Sequence, residues 1–243
     1  MRLFGLIGYP LTHSFSKNYF TEKFKKEGIV DCRYENFELI IIDDLPKIIS
    51  ENSDLCGLNV TIPYKESILQ FLNESNELVR QVNACNCIKI TDGKLVGYNA
   101  DVIGFEKSLL KKLRPEHTDA LILGTGGAAK AVEFVLKKNR VRFKKVSRQL
   151  SANNFIYEQL TPDIVKETTL IINTTPIGMY PNTNESPPFP YEAITPKHFL
   201  YDLIYNPAKT LFLKKGEEQG AEIQNGYEML VYQAEESWAI WNQ

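Results

Sequence analysis

The run Ala120-Leu121-Ile122-Leu123-Gly124-Thr125-Gly126-Gly127-Ala128-Ala129 constrains this chain more than any other feature. Four consecutive apolar residues read as a buried strand, the glycines as a tight turn, and the stretch over 127–138 as a helix. A strand that turns through glycines into a helix leaves the unpaired N–H groups of the helix N-terminus facing the turn, where they hold an anion. Gly124 permits the tight turn, Gly126 lets the backbone approach a pyrophosphate, and Ala129 takes the third fingerprint position, where Gly or Ala is allowed. A glycine turn without a ligand is the alternative reading of the same residues.

A unit that binds NAD usually places Asp or Glu about 20 residues further on, bonded to the ribose hydroxyls. Here the strand over 141–147 ends in Ser147-Arg148 with no acid. A guanidinium at that point pairs with a 2′-phosphate and stacks on adenine, so NADP is favoured over NAD. The plainer alternative for Arg148 is a solvated surface charge.

The rest of the pattern agrees with an α/β chain. Strands are expected over 3–8, 33–40 and 55–60, with helices over 15–27, from 43–46 and over 65–72. Asp92-Gly93 between apolar runs at 86–90 and 94–98 is a hairpin signal. A helix over 102–113 ends before Pro115. After the glycine loop come strands over 141–147, 168–173 and 198–204, a proline-rich surface loop at 182–190, and a final helix over 227–241. That helix carries an apolar stripe at Leu230, Ala234, Trp238 and Trp241. The domain junction is expected within 101–118.

Composition removes several function classes. At 243 residues the chain is long enough for two modest domains. A formal charge of −2, without basic stretches interleaved with aromatics, offers no field for nucleic acid. No segment approaches the roughly 20 apolar residues that span a bilayer, and the apolar start is too short for a signal peptide. The expected location is the cytoplasm. Cys32, Cys56, Cys85 and Cys87 form no zinc-ligand set, and are expected as free thiols in a reducing compartment.

Three clusters place polar residues where strands end. In Gly8-Tyr9-Pro10-Leu11-Thr12-His13-Ser14-Phe15-Ser16, two serines just before a helix can offer hydroxyls to one anion, or simply cap the helix. His13 is expected to pack or hydrogen-bond rather than catalyse. In Gly57-Leu58-Asn59-Val60-Thr61-Ile62-Pro63-Tyr64-Lys65, a strand ends in Asn and Thr and Lys65 is expected to open the next helix. The helix dipole there opposes a positive charge, an arrangement suited to a Lys that gives and takes protons. In Gly97-Tyr98-Asn99-Ala100-Asp101, Asp101 is expected to cap the following helix. Each of Lys65 and Asp101, read singly, is as well explained by structure as by chemistry.

Taken in order, these runs resemble the shikimate dehydrogenase family. The resemblance extends through Ile172-Asn173-Thr174-Thr175-Pro176-Ile177-Gly178-Met179, Asp202-Leu203-Ile204-Tyr205-Asn206-Pro207 and Gly226-Tyr227-Glu228-Met229-Leu230-Val231-Tyr232-Gln233, covering nearly the whole chain. It implies an α/β protein with an N-terminal substrate domain of mostly parallel sheet over residues 1–101. A Rossmann-type NADP domain over 102–225 follows, and a C-terminal helix over 226–243 returns to the first domain. It implies the reversible NADPH-dependent reduction of 3-dehydroshikimate to shikimate, with Lys65 and Asp101 as the catalytic pair. Ser14, Ser16, Thr61, Asn86, Asn99 and Gln233 match positions that hold the substrate carboxylate or hydroxyls. Gly124, Gly126 and Gly127 match the pyrophosphate loop, and Arg148 the residue facing the 2′-phosphate. Thr174, Pro176, Tyr205, Gly226 and Met229 match the remaining cofactor contacts. No metal, nucleic acid or membrane is implied, and a monomer or homodimer is expected.

The chain departs from the family pattern in places. Lys17 stands where a Pro commonly follows the two serines, Cys87 and Ala100 replace threonines, and Ser147-Arg148-Gln149 replaces Asn-Arg-Thr. A further Arg expected downstream is Ala152, leaving one guanidinium where the family has two. A quinate/shikimate dehydrogenase able to use NAD is therefore one alternative, and a non-catalytic shikimate-binding sensor on the same fold another.

Overall fold

The computed structural model describes residues 1–11, 14–149 and 154–243. His13 and Ala152 lie outside the described residues. The chain divides into two compact units, Met1–Ile103 with Tyr232–Gln243, and Gly104–Val231.

In the first unit β1 (Arg2–Gly8), α1 (Phe15–Glu27), β2 (Cys32–Glu38), α2 (Leu45–Glu51) and β3 (Leu55–Val60) alternate. They are followed by β4 (Glu74–Ser75), α3 (Glu77–Val82), β5 (Cys87–Thr91) and β6 (Lys94–Tyr98). The sheet order is β2-β1-β3-β5-β6-β4. Strand β1 is parallel to β2 and β3, and β4 to β6, whereas β5 runs antiparallel to β3 and to β6. Asp92 and Gly93 turn the hairpin with φ of 50° and 74°, the left-handed pair that matches strand twist.

Alternation along β1 sends its side chains into two apolar layers. Leu3 and Ile7 pack with Leu58, Val60, Ile68 and Ile88, while Phe4 and Leu6 pack with Phe20, Phe24, Tyr34 and Trp241. Burial on both faces is why β1 reads as a continuous apolar run. Phe4 stacks on Trp241 and Phe20 on Tyr34, each pair with centroids 4.7 Å apart. The Trp241 indole N–H donates to Ile88 O at 3.0 Å, and the ring lies against Gly57. These contacts fasten the end of the chain to the first unit.

The second unit holds β7 (Asp119–Leu123), α5 (Gly127–Lys138), β8 (Arg142–Ser147), β9 (Asn154–Ile156), α6 (Pro162–Glu167), β10 (Leu170–Asn173), β11 (Phe199–Asp202), α7 (Leu211–Glu218) and β12 (Glu222–Gln224). Helices α4 (Ala100–Leu109) and α8 (Tyr227–Trp241) each run across the division between the units. The order β12-β11-β10-β7-β8-β9 is parallel throughout. The chain leaves β7 in one direction for β8 and β9, then crosses back to β10, β11 and β12. Between β7 and β10 lies the point where the winding reverses, and ligands bind outside the carboxyl ends of strands at such a point.

Local structure departs from expectation in several places. The helix expected over 65–72 is a 3₁₀ segment, Ser67–Phe71, and the one expected over 102–113 is Ala100–Leu109. Short elements went unanticipated because they carry few apolar repeats; α3, α6 and α7 are started by caps, with Asn76, Thr161 and Thr210 each accepting a backbone N–H of the first turn. The 182–190 stretch is mixed: Asn182, Asn184, Glu185 and Pro188 are exposed, whereas Pro187 and Phe189 are buried, and Phe189 stacks on Tyr191 at 4.1 Å.

Candidate active site

In the first unit, three polar clusters arise at one edge of the sheet because of strand direction. Parallel β1 and β3 end there, and two antiparallel steps bring the end of β6 and the start of β5 to the same edge. Thus Ser14 and Ser16 follow β1, Thr61 and Lys65 follow β3, Asn86 precedes β5, and Asn99 and Asp101 follow β6.

The central contact is an ion pair, Lys65 Nζ to Asp101 Oδ2 at 2.6 Å, with side chains 18% and 8% exposed. Lys65 sits in a turn before the 3₁₀ segment, not at an α-helix N-terminus, so its charge is met by Asp101 instead of being opposed by a dipole. Tyr64 anchors that turn from below: its side chain is buried and its hydroxyl donates to Leu39 O at 2.6 Å. The Cys85 N–H donates to Lys65 O at 2.8 Å, fixing the Lys backbone from the other side.

Asp101 does not cap α4. Asn99 does, its Oδ1 accepting from the Val102 N–H at 3.1 Å while its Nδ2 donates to Ala84 O at 2.8 Å. Asp101 is left free in the first helical turn to take Lys65. Asn99, expected at a substrate hydroxyl, is 3% exposed, and both ends of its amide have partners inside the protein. Asn86 Oδ1 accepts from the Ala100 N–H at 2.6 Å, and its Nδ2 donates to Gln233 Oε1 at 3.4 Å. Ser14 is the N-cap of α1, its Oγ accepting from Lys17 N at 3.1 Å, and Ser16 is buried in the first turn. The Ser14 hydroxyl proton remains able to donate. Lys17, at the family's Pro position, pairs with Glu35 at 2.7 Å.

Sequence reasoning assigns no role to Asn59. It is 3% exposed, accepts from Tyr34 hydroxyl at 2.9 Å, and donates to Ser237 Oγ at 2.8 Å and Asn86 O at 3.3 Å. It ties β2, β3, α8 and the Asn86 segment together. Its signal was present: an Asn inside an otherwise apolar strand needs buried partners.

In the second unit, the glycine turn stands at the end of β7, beside the winding reversal. Gly124 has φ of 113°, and a Cβ there would fall 2.5 Å from Thr174 Oγ1. Gly126 is the N-cap of α5, and a Cβ on it would meet nothing within 4 Å, so its backbone is open to a ligand. Gly127 begins α5 and Ala129 is fully buried beneath it. A helix N-terminus, whose first N–H groups have no partner within the helix, with open space at Gly126, fits a pyrophosphate. Thr174 closes the far side of the turn, its N–H and hydroxyl donating to Leu123 O at 2.9 and 2.8 Å.

Arg148 is exposed at the end of β8, in a turn closed by Ser147 Oγ donating to Gln149 O at 2.6 Å. Asn154 Nδ2 donates to both Ser147 Oγ and Gln149 O, at 2.7 and 2.8 Å. Pro176 is exposed, Tyr205 half-buried and Met229 buried. Gly226 donates its N–H to Ile204 O at 3.0 Å, and a Cβ there would fall 2.0 Å from Leu203 O, so only glycine fits. Among the described residues there is no cluster of three metal-ligating side chains, and no helix is long and apolar enough to cross a membrane.

Residues 6–88 match the family model of the shikimate dehydrogenase substrate binding domain. Over 260 residues, covering 99% of this chain and 89% of the relative, the sequence is 39% identical to shikimate dehydrogenase (NADP(+)) of Caldicellulosiruptor bescii. It is also 39% identical over 257 residues to the protein of that name from Methanococcus maripaludis, covering 99% and 91% of the two chains. The crystal structure of shikimate 5-dehydrogenase from Thermus thermophilus, in complex with NADP(H) and shikimate, superposes with a TM-score of 0.87 at 27% identity. That match covers 99% of this chain and 93% of the other.

Proposed function

The chain belongs to the shikimate dehydrogenase family of NADP-dependent oxidoreductases, and we propose a division of labour among its residues. The reaction is the reversible reduction of 3-dehydroshikimate to shikimate. The Gly124–Gly127 turn would hold NADPH, which would supply the hydride when bound. The protein's own residues bind, orient and move one proton.

Lys65 is the proton donor to the forming alkoxide, and the acceptor from shikimate in the reverse direction. Asp101 holds the Lys65 ammonium so that one of its three N–H donors faces the reacting oxygen. The observation that carries this reading is the 2.6 Å Lys65–Asp101 pair at the strand-end edge of the first unit. Ser14 and Ser16 donate hydroxyl protons to the substrate carboxylate, while Thr61, Asn86 and Gln233 contact the carboxylate or ring hydroxyls. Asn99 serves the same site indirectly, by capping α4 and seating Asp101. Arg148 faces the 2′-phosphate. Thr174, Pro176, Tyr205, Gly226 and Met229 line the rest of the cofactor. The substrate domain is the N-terminal unit, completed by the last helix, and the NADP domain lies between.

The test follows NADPH absorbance with shikimate and quinate in wild type and Lys65→Ala. Loss of the proton donor lowers kcat by about 10²–10⁴-fold with little change in KM for the substrate. A variant as fast as wild type removes Lys65 from the mechanism. Tight shikimate binding by a wild type with no turnover on either nicotinamide cofactor would favour the sensor alternative.

A further inference from the structure

Asp202, the last residue of β11, is 0% exposed, and the chemistry proposed above makes no use of it. Burial is the dominant effect on its carboxyl and pushes it up to about 7, although three hydrogen bonds oppose the rise. An apolar residue would fill this strand end without burying a charge. The carboxylate instead collects donors from three segments. Oδ1 accepts from Asn173 Nδ2 and from the Ile204 N–H, each at 3.0 Å, and Oδ2 accepts from the Thr210 hydroxyl at 2.5 Å.

Asn173 stands directly opposite on β10 and is itself fully buried. Its Oδ1 accepts from the N–H and the hydroxyl of Thr175, at 3.0 and 2.7 Å, and its backbone O accepts from the Leu203 N–H at 3.0 Å. Ile204 O in turn accepts from the Gly226 N–H at 3.0 Å. These bonds lead into the segments that carry Thr174, Pro176, Tyr205 and Gly226. Removing the carboxylate would leave three donors without their acceptor at the point where those segments meet.

We propose that Asp202 is a positioning residue for the cofactor, setting the loops after β10 and β11 through Asn173 and Ile204 without touching a ligand. This rests on the cofactor placement proposed above. Its shape, more than its charge, does the positioning. An Asn at this point keeps Oδ1 for Asn173 and Ile204, and its Nδ2 donates to the Thr210 oxygen.

Steady-state kinetics on the whole enzyme test this with Asp202→Ala, Asp202→Asn and Arg148→Ala. Asp202→Ala is expected to raise KM for NADPH by about tenfold and leave KM for the substrate within about twofold, since the first unit is untouched. Asp202→Asn is expected to stay within about twofold of wild type for both. A folded Asp202→Ala with unchanged KM for NADPH, or with both KM values raised alike, overturns the proposal. If Asp202→Ala does not fold, Asn173→Ala cuts the same link and is expected to raise KM for NADPH by about fivefold; no rise overturns the proposal equally. A rise in Arg148→Ala without one in Asp202→Ala removes the anchor and leaves the cofactor placement standing. No rise in Arg148→Ala removes the placement itself.

Discussion

Replacing Asp202 by Asn also measures what a buried carboxylate does to stability. Its carboxyl stands at about 7 in the fold against an ordinary value of 3.8. Between those values the folded protein holds a proton that the unfolded chain has released, so stability falls as pH rises through this window. The slope is at most about 1.4 kcal/mol per pH unit, and a gap of roughly three units gives a loss on the order of 4 kcal/mol by pH 7. Asn carries no such dependence. The unfolding free energy of wild type minus that of Asp202→Asn is therefore expected to fall by up to that amount between about pH 4 and pH 7, then level off. Urea denaturation at a series of pH values measures the difference, and groups common to both proteins cancel. Far-UV circular dichroism is the suitable probe, because Trp238 and Trp241 both lie in the first unit and report on the wrong part of the chain. A difference that is flat in pH, or that rises with it, would refute the reasoning.

Two further outcomes follow from the packing. At Gly57 a Cβ would fall 2.3 Å from Trp241 Nε1, so Gly57→Ala must displace the indole and its bond to Ile88. A loss of about 1–3 kcal/mol in urea denaturation followed by tryptophan fluorescence is expected, and a loss below about 0.5 kcal/mol would show that the ring yields freely. Cys85 and Cys87 are fully buried, with Cys85 pushed up to about 12 and Cys87 higher still by desolvation, whereas Cys32 and Cys56 are half-buried. A thiol–disulfide reagent at neutral pH should therefore modify at most the latter two in the native protein and all four in urea. Rapid labelling of all four without denaturant contradicts this burial.

The elements legible in advance were those whose local pattern is unambiguous. The glycine turn, β3, α5 and α8 stand where periodicity and turn chemistry put them, since each is long or strongly patterned. The helix expected at Lys65 is instead a turn followed by the 3₁₀ segment Ser67–Phe71, and the turn is held by bonds from elsewhere in the chain, the Tyr64 hydroxyl donating to Leu39 O and the Cys85 N–H to Lys65 O. The cap of α4 passed from Asp101 to Asn99 for a tertiary reason. Ala84, 15 residues back, accepts the Asn99 amide and draws that side chain into the cap.

The sequence by itself determined the alternation of strands and helices, the nucleotide turn and the family, because each rests on local periodicity or on runs of neighbouring residues. It also named Lys65 and Asp101. The family resemblance already paired them; only the tertiary structure supplied the contact itself, since strand direction across β3, β5 and β6 brings residues 36 positions apart to 2.6 Å. The same holds for Asp202. No local pattern separates a buried carboxylate that anchors three segments from an acid at the surface, because the donors that distinguish them are supplied by the fold.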